Sequence, residues 1–131
     1  MLKFLYGLQR YTTRSIMINR SRYTAIIADS SIKRAIGLMF RQELGAKQCM
    51  LFTFNHSGRH SIWMHNMRFP IDAVWLDEDG AVVDIKERLK PCSSLLNCPQ
   101  YAPARDAKYL IELNAGNARR ERIRKGSKIV L

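Results

Sequence analysis

Residues 71–86 read Ile71-Asp72-Ala73-Val74-Trp75-Leu76-Asp77-Glu78-Asp79-Gly80-Ala81-Val82-Val83-Asp84-Ile85-Lys86. Two apolar, β-branched runs flank a polar turn, and Gly80 supplies the positive φ that a short hairpin loop requires. This is the clearest antiparallel ribbon in the chain. Immediately upstream, His60–Met67 places Ile62 and Met64 on one face and Trp63 and Met67 on the other. A strand that is apolar on both faces belongs inside a fold. Pro70 then interrupts the ladder, because it has no N–H to donate.

The same reading extends outward. Arg14–Asn19 and Arg22–Ala28 are β-branched runs around Arg20-Ser21, which predicts a second hairpin. Asp29-Ser30-Ser31 offers an N-cap, and Ile32, Ala35, Ile36 and Met39 behind it follow helical spacing. Cys49–Phe54 reads as a buried strand and Lys108–Leu113 as another. Asn117–Ile123 reads as a short helix and Ser127–Leu131 as a closing strand. Leu89–Arg105 is a long irregular stretch holding Pro91, Pro99 and Pro103. The pattern predicts a mainly β protein: a compact antiparallel β-barrel or sandwich of about seven or eight strands, with one or two short peripheral helices. With 131 residues the chain makes a single domain, 1–131. Its motif-bearing core spans about 22–131, preceded by a basic N-terminal strand segment, 1–21.

Composition is that of a globular protein, with 47% hydrophobic and 25% charged residues, but the net charge is +11. The excess is uneven. Residues 1–24 carry +5, residues 25–116 only +1, and residues 117–131 again +5. The densest run is Arg119-Arg120-Glu121-Arg122-Ile123-Arg124-Lys125. Arg119, Arg120, Arg122, Arg124 and Lys125 are therefore candidate anion-binding residues, for nucleic acid or an anionic surface. Whether they make one basic face depends on whether the chain ends meet. No apolar stretch has the length of a transmembrane segment. Phe4–Leu8 is too short for a secretory signal core, so a cytoplasmic location is expected.

Cys92 and Cys98 bracket part of the proline-rich stretch, with Cys49 on a core strand. Structural thiols, a redox-sensitive staple and a metal pair all remain open for them. His56, His60 and His65 have poor ligand spacing, so no metal or other cofactor is expected. Asp77-Glu78-Asp79-Gly80 imitates the start of a calcium loop but lacks its closing Glu, so it reads as a turn.

Several of these segments are recognisable together. Arg34-Ala35-Ile36-Gly37-Leu38-Met39-Phe40-Arg41, Met50-Leu51-Phe52, Ile62-Trp63-Met64-His65-Asn66-Met67-Arg68-Phe69-Pro70-Ile71-Asp72 and Leu110-Ile111-Glu112-Leu113 occur in that order. In this the chain resembles the "domain of unknown function 192" family of bacteria and archaea, also called uncharacterised protein family 0127. The resemblance implies a mainly β single domain and no agreed activity. The family's closing Gly-Asp stands here as Gly126-Ser127.

Trp63, His65, Asn66, Asp72 and Glu112 are the polar and aromatic groups set among apolar neighbours in these motifs. Buried polar groups are costly unless paired. Either they bond backbone at bulges and turns, or they converge on a pocket for a small polar ligand. The favoured reading is a small non-catalytic binding or accessory domain. An anion binder using the terminal arginines is one alternative. A small hydrolase-like enzyme using His65 or Glu112 with Asp72 is the other, although no catalytic motif is present.

Overall fold

The computed structural model describes residues 1–131. The chain forms α1 (Leu2–Leu8), β1 (Thr13–Ile18), β2 (Ser21–Ala28), α2 (Ser31–Ile36), β3 (Gln48–Gly58) and β4 (Ile62–Trp63). It continues through β5 (Ile71–Leu76), β6 (Val82–Leu89), β7 (Gln100–Tyr101), β8 (Ala107–Asn114) and α3 (Asn117–Arg120). The hairpin read from residues 71–86 is present, with Val74 opposite Ile85 and Trp75 opposite Asp84. Its turn is closed by the Asp77 carboxylate, which accepts from the Asp79 and Ala81 N–H groups at 2.9 and 3.0 Å.

Six strands form one sheet in the order β1-β2-β3-β8-β5-β6, and β4 and β7 form a small separate ribbon. Seven of the eight strands fall where alternation and turn chemistry predict them. The pairing is antiparallel except for β2 with β3. Those two run parallel because α2 lies between them in sequence and carries the chain back to the same end of the sheet.

Alternation divides the core between the two faces of the sheet. One face buries Tyr23, Ala25, Leu51, Val74, Leu76, Ile111 and Leu113 against Ala118, Ile123 and Ile129. The other buries Met50, Phe52, Ala73, Trp75 and Leu110 against Leu38, Leu44, Met64 and Leu89. A sheet covered on both faces gives the sandwich-like arrangement expected.

Besides the parallel pairing of β2 with β3, four details differ from the sequence reading. Residues 127–131 form no strand, because their backbone is shared between the two sheet edges. Val130 exchanges hydrogen bonds with Met17 of β1, while Ile129 donates to Gly80 and Ser127 accepts from Val82. The tail thus laces β1 to the β5–β6 hairpin without closing a barrel. The expected strand His60–Met67 is only Ile62–Trp63, since its partner β7 is two residues long. Trp63 is partly exposed, not internal. The start of the segment expected as a basic strand is helix α1, whose Tyr6 ring lies 5.9 Å from Phe40.

Candidate functional site

Glu112 sits on β8, the strand flanked on both sides within the sheet, between Met50 of β3 and Ala73 of β5. Strand alternation puts its side chain on the same face as Leu110. It is 5% exposed and makes no hydrogen bond or ion pair within the chain. Burial pushes its pKa up to about 8. The carboxyl group is therefore un-ionised at neutral pH, able both to donate and to accept a hydrogen bond.

This group lines a cavity of about 170 Å³. α2 and its exit contribute Arg34 to Met39, β3 contributes Phe52, and β4 contributes Ile62 and Trp63. Ser30 caps α2 by accepting from the Lys33 N–H at 3.2 Å, as the sequence predicts. Gly37 ends the helix with φ 53°, and a Cβ there would lie 3.2 Å from the Phe52 ring. That glycine lets the chain cross closely over the aromatic floor. Arg34 is steered by donating to the Thr53 carbonyl at 2.9 Å. A shallower groove with Phe54, His56 and His60 shares Arg34, Ala35 and Ser61 with the cavity.

The structure places the five candidate ligand-binding residues in three settings. Trp63 and Glu112 line the cavity together. His65 and Asn66 lie beside it: the His65 ring is 5.0 Å from that of Trp63, and the Asn66 amide approaches the Met39 sulfur at 4.0 Å. Asn66 has φ 61° and its carbonyl accepts from Phe40, so it fixes the exit of α2. Asp72 is elsewhere. Both its oxygens are bonded to backbone: Oδ1 to the Arg88 N–H, Oδ2 to those of Gly116 and Ala118, all at 2.9 Å. Asp72 thus ties β5 to the left-handed Arg88 and to the start of α3. It is not assembled with His65 or Glu112 for acid–base chemistry.

The basic ends meet at one place. A cleft of about 570 Å³ is lined by Asn19, Arg20, Arg120, Glu121 and Arg122. Its base is built by Glu121, which points inward and accepts from Ser21 Oγ at 2.6 Å, Tyr23 Oη at 2.8 Å and Lys47 Nζ at 2.9 Å. Burial works against the Glu121 charge, but hydrogen bonds from Ser21, Lys47 and Tyr23 outweigh it and hold the carboxyl below its ordinary pKa. The Asn19 amide donates to the Glu121 carbonyl. Arg119, Arg122 and Arg124 line a neighbouring depression with Glu87, and Lys125 lies 3.8 Å from Asp84. Arg14 belongs to a separate depression beside Asp29.

Sequence reasoning did not single out Arg34, Phe52, Arg20 or Glu121, whereas Gly37 is legible in the sequence as a helix exit or a close-packing position. The first two stood inside recognised motifs, but no chemistry attached to them until the cavity was visible. Cys92 and Cys98 are joined as a disulfide, with Cα atoms 5.2 Å apart.

The DUF192 family, described as Uncharacterized ACR, COG1430, matches residues 14–131. A UPF0127 protein of Pyrococcus furiosus is 36% identical over 87 residues, 65% of this chain and 66% of its own length. Another from Pyrococcus abyssi is 32% identical over 105 residues, covering 79% of this chain and 81% of that protein. Two crystal structures share the fold. One, from Sinorhizobium meliloti and named provisionally as a transcription regulator, is 25% identical with a TM-score of 0.84, covering 92% of this chain and 95% of its own. The other, a Novosphingobium aromaticivorans protein of unknown function, is 27% identical with a TM-score of 0.79, covering 92% and 85%.

Proposed function

The chain belongs to the DUF192 family, and from that premise we propose that it is a small non-catalytic β domain that binds a small amphipathic molecule in the Glu112 cavity. One observation carries the reading: a carboxyl group with no protein partner, on a residue only 5% exposed, opens onto a cavity. An un-ionised carboxyl group there can both donate to and accept from whatever enters the cavity. A ligand that supplies the missing hydrogen bonds would offset the cost. The volume suits a single ring or a few heavy atoms, since an engineered cavity of about 150 Å³ holds benzene. Eight of the twelve lining residues are hydrophobic. The ligand therefore has an apolar body against Phe52, Met39 and Met67, and one polar group for Glu112. Arg34 at the rim favours a ligand with an anionic or carbonyl tail.

The test is a fragment screen by ligand-detected NMR on the wild type and on Glu112→Leu. Fragments with one ring and one amide or hydroxyl are expected to bind the wild type and to lose about tenfold or more in the variant, the scale of one well-placed buried hydrogen bond. Equal affinity for both proteins would reject the reading.

A second reading is favoured by the meeting of Arg20 with Arg120 and Arg122. Their cleft has no hydrophobic wall, and Glu121 is turned away into its own hydrogen bonds. An anionic partner such as a nucleic-acid backbone fits that chemistry, and the provisional name of the Sinorhizobium relative is compatible with it. Cytoplasmic residence belongs to the same proposal. No helix is long and apolar enough to cross a membrane. In that compartment the Cys92–Cys98 disulfide would be open to reduction.

A further inference from the structure

We propose that the reduced chain binds Zn²⁺ through His65, Cys92 and Cys98, and that the Cys92–Cys98 disulfide is the metal-free, locked form of the same site. The donor atoms of these three residues all lie within 4.8 Å of one another. The His65 Nδ1 atom is buried and has no hydrogen-bond partner, so the imidazole beside the two sulfurs keeps a ring nitrogen unused. The backbone fixes this meeting. His65 and Cys92 form a parallel bridge, and the Cys92 N–H donates to the Met64 carbonyl at 3.2 Å.

The second sulfur is brought back by the single 3-10 turn Leu95–Asn97, which is capped by Ser94 Oγ accepting from Leu96 at 3.2 Å. Pro91 and Pro99 stiffen the chain outside the two cysteines. His56 and His60 are engaged elsewhere, with His60 stacked on Phe54 at 3.8 Å. The donor set is therefore two thiolates and one imidazole. Soft sulfur and imidazole ligands select Zn²⁺ over hard cations, and three protein ligands leave a fourth tetrahedral position for water or substrate.

Opening the site needs a two-electron reductant, such as a dithiol. With a dithiol the Cys92–Cys98 bond breaks, the reductant's own two sulfurs join, and its two protons pass to the cysteine sulfurs. Zn²⁺ then takes the two thiolates and the imidazole, and the two thiol protons leave to solvent. Oxidation in the presence of a disulfide acceptor reverses the sequence and ejects the ion. The site stands apart from the Glu112 cavity reading, so the two fail independently.

The experiment titrates Co²⁺ into the full chain under anaerobic conditions, once reduced with a phosphine and once oxidised. The reduced protein is expected to show tetrahedral d–d absorption and thiolate-to-cobalt charge transfer, saturating at one equivalent and abolished by Zn²⁺. Zn²⁺ binding is expected to release about two protons. The oxidised protein should show none of these signals. His65→Ala should keep the charge-transfer band and weaken binding by about tenfold or more, the loss expected for one of three ligands. Absence of charge transfer in the reduced chain, or unchanged affinity in His65→Ala, overturns the proposal. The comparison of redox states uses the unaltered sequence, so it stands whether or not a variant folds.

Discussion

Glu112 of β8 stands directly opposite Ala73 of β5, with Met50 of β3 on its other side, so a carboxyl group in the middle of the sheet has only apolar cross-strand neighbours. That setting explains why burial raises the Glu112 pKa, and the cavity is where its carboxyl group opens. Neither neighbour has an oxygen or nitrogen in its side chain to offer an acid. An apolar residue in place of Glu112 would have avoided the cost of burying the carboxyl group.

The first prediction concerns pH. The folded protein holds the Glu112 proton up to about pH 8, whereas the unfolded chain releases it near the ordinary value of 4.5. Between those values the folded state binds more protons than the unfolded state, so stability falls as pH rises through this window and levels off above it. The ceiling on the loss is roughly 5 kcal/mol. Denaturant unfolding of Glu112→Gln should lack this slope and exceed the wild type in stability at pH 8.

Asp72 is expected to behave as a structural clamp. Asp72→Ala leaves three backbone N–H groups without their acceptor and should cost about 3–5 kcal/mol, with Asp72→Asn only partly better. Urea midpoints measure this. Fragment affinity in the Glu112 cavity should be unchanged in any Asp72 variant that remains folded.

The basic cleft predicts a salt-dependent partner. Arg20→Gln, Arg120→Gln and Arg122→Gln together should lower the slope of log affinity against log salt for single-stranded nucleic acid by about 2, at roughly 0.7 per lost phosphate contact. Fluorescence anisotropy at several salt concentrations reads it directly. An unchanged slope would remove these arginines from the interface.

Gly80 marks the place where the tail laces the hairpin. A Cβ there would sit 2.7 Å from the Ile129 carbonyl oxygen, and φ is 84°. Gly80→Ala should therefore destabilise by about 2 kcal/mol or more, from positive-φ strain plus loss of the tail's seat. Hydrogen exchange should show the Ile129 and Val130 amides losing protection before those of β8.

Local chemistry made much of this fold legible. The turn at Asp77–Gly80, the Ser30 cap and the alternation of β8 are each fixed by near neighbours, and each forms where expected. What escaped depends on distant partners. Residues 127–131 have a strand-like pattern, but two different edges claim their backbone. The parallel pairing of β2 and β3 was implicit in the helix between two strands, yet it reversed the expectation of an all-antiparallel sheet. Glu112 was legible as a carboxyl among apolar residues. Its partners in the cavity were not, because Arg34 and Phe52 come from other elements and carry no signature of their own.

The protonation state of Glu112 is the point on which the ligand reading turns, and carbon-13 NMR of its side-chain carboxyl across pH 4 to 10 reports it without any ligand in hand. A midpoint near 8 is expected, with the acid form dominant at pH 7. A midpoint near the ordinary value of 4.5 would mean that the carboxylate is solvated or paired, and the unpartnered anchor in the cavity would not exist.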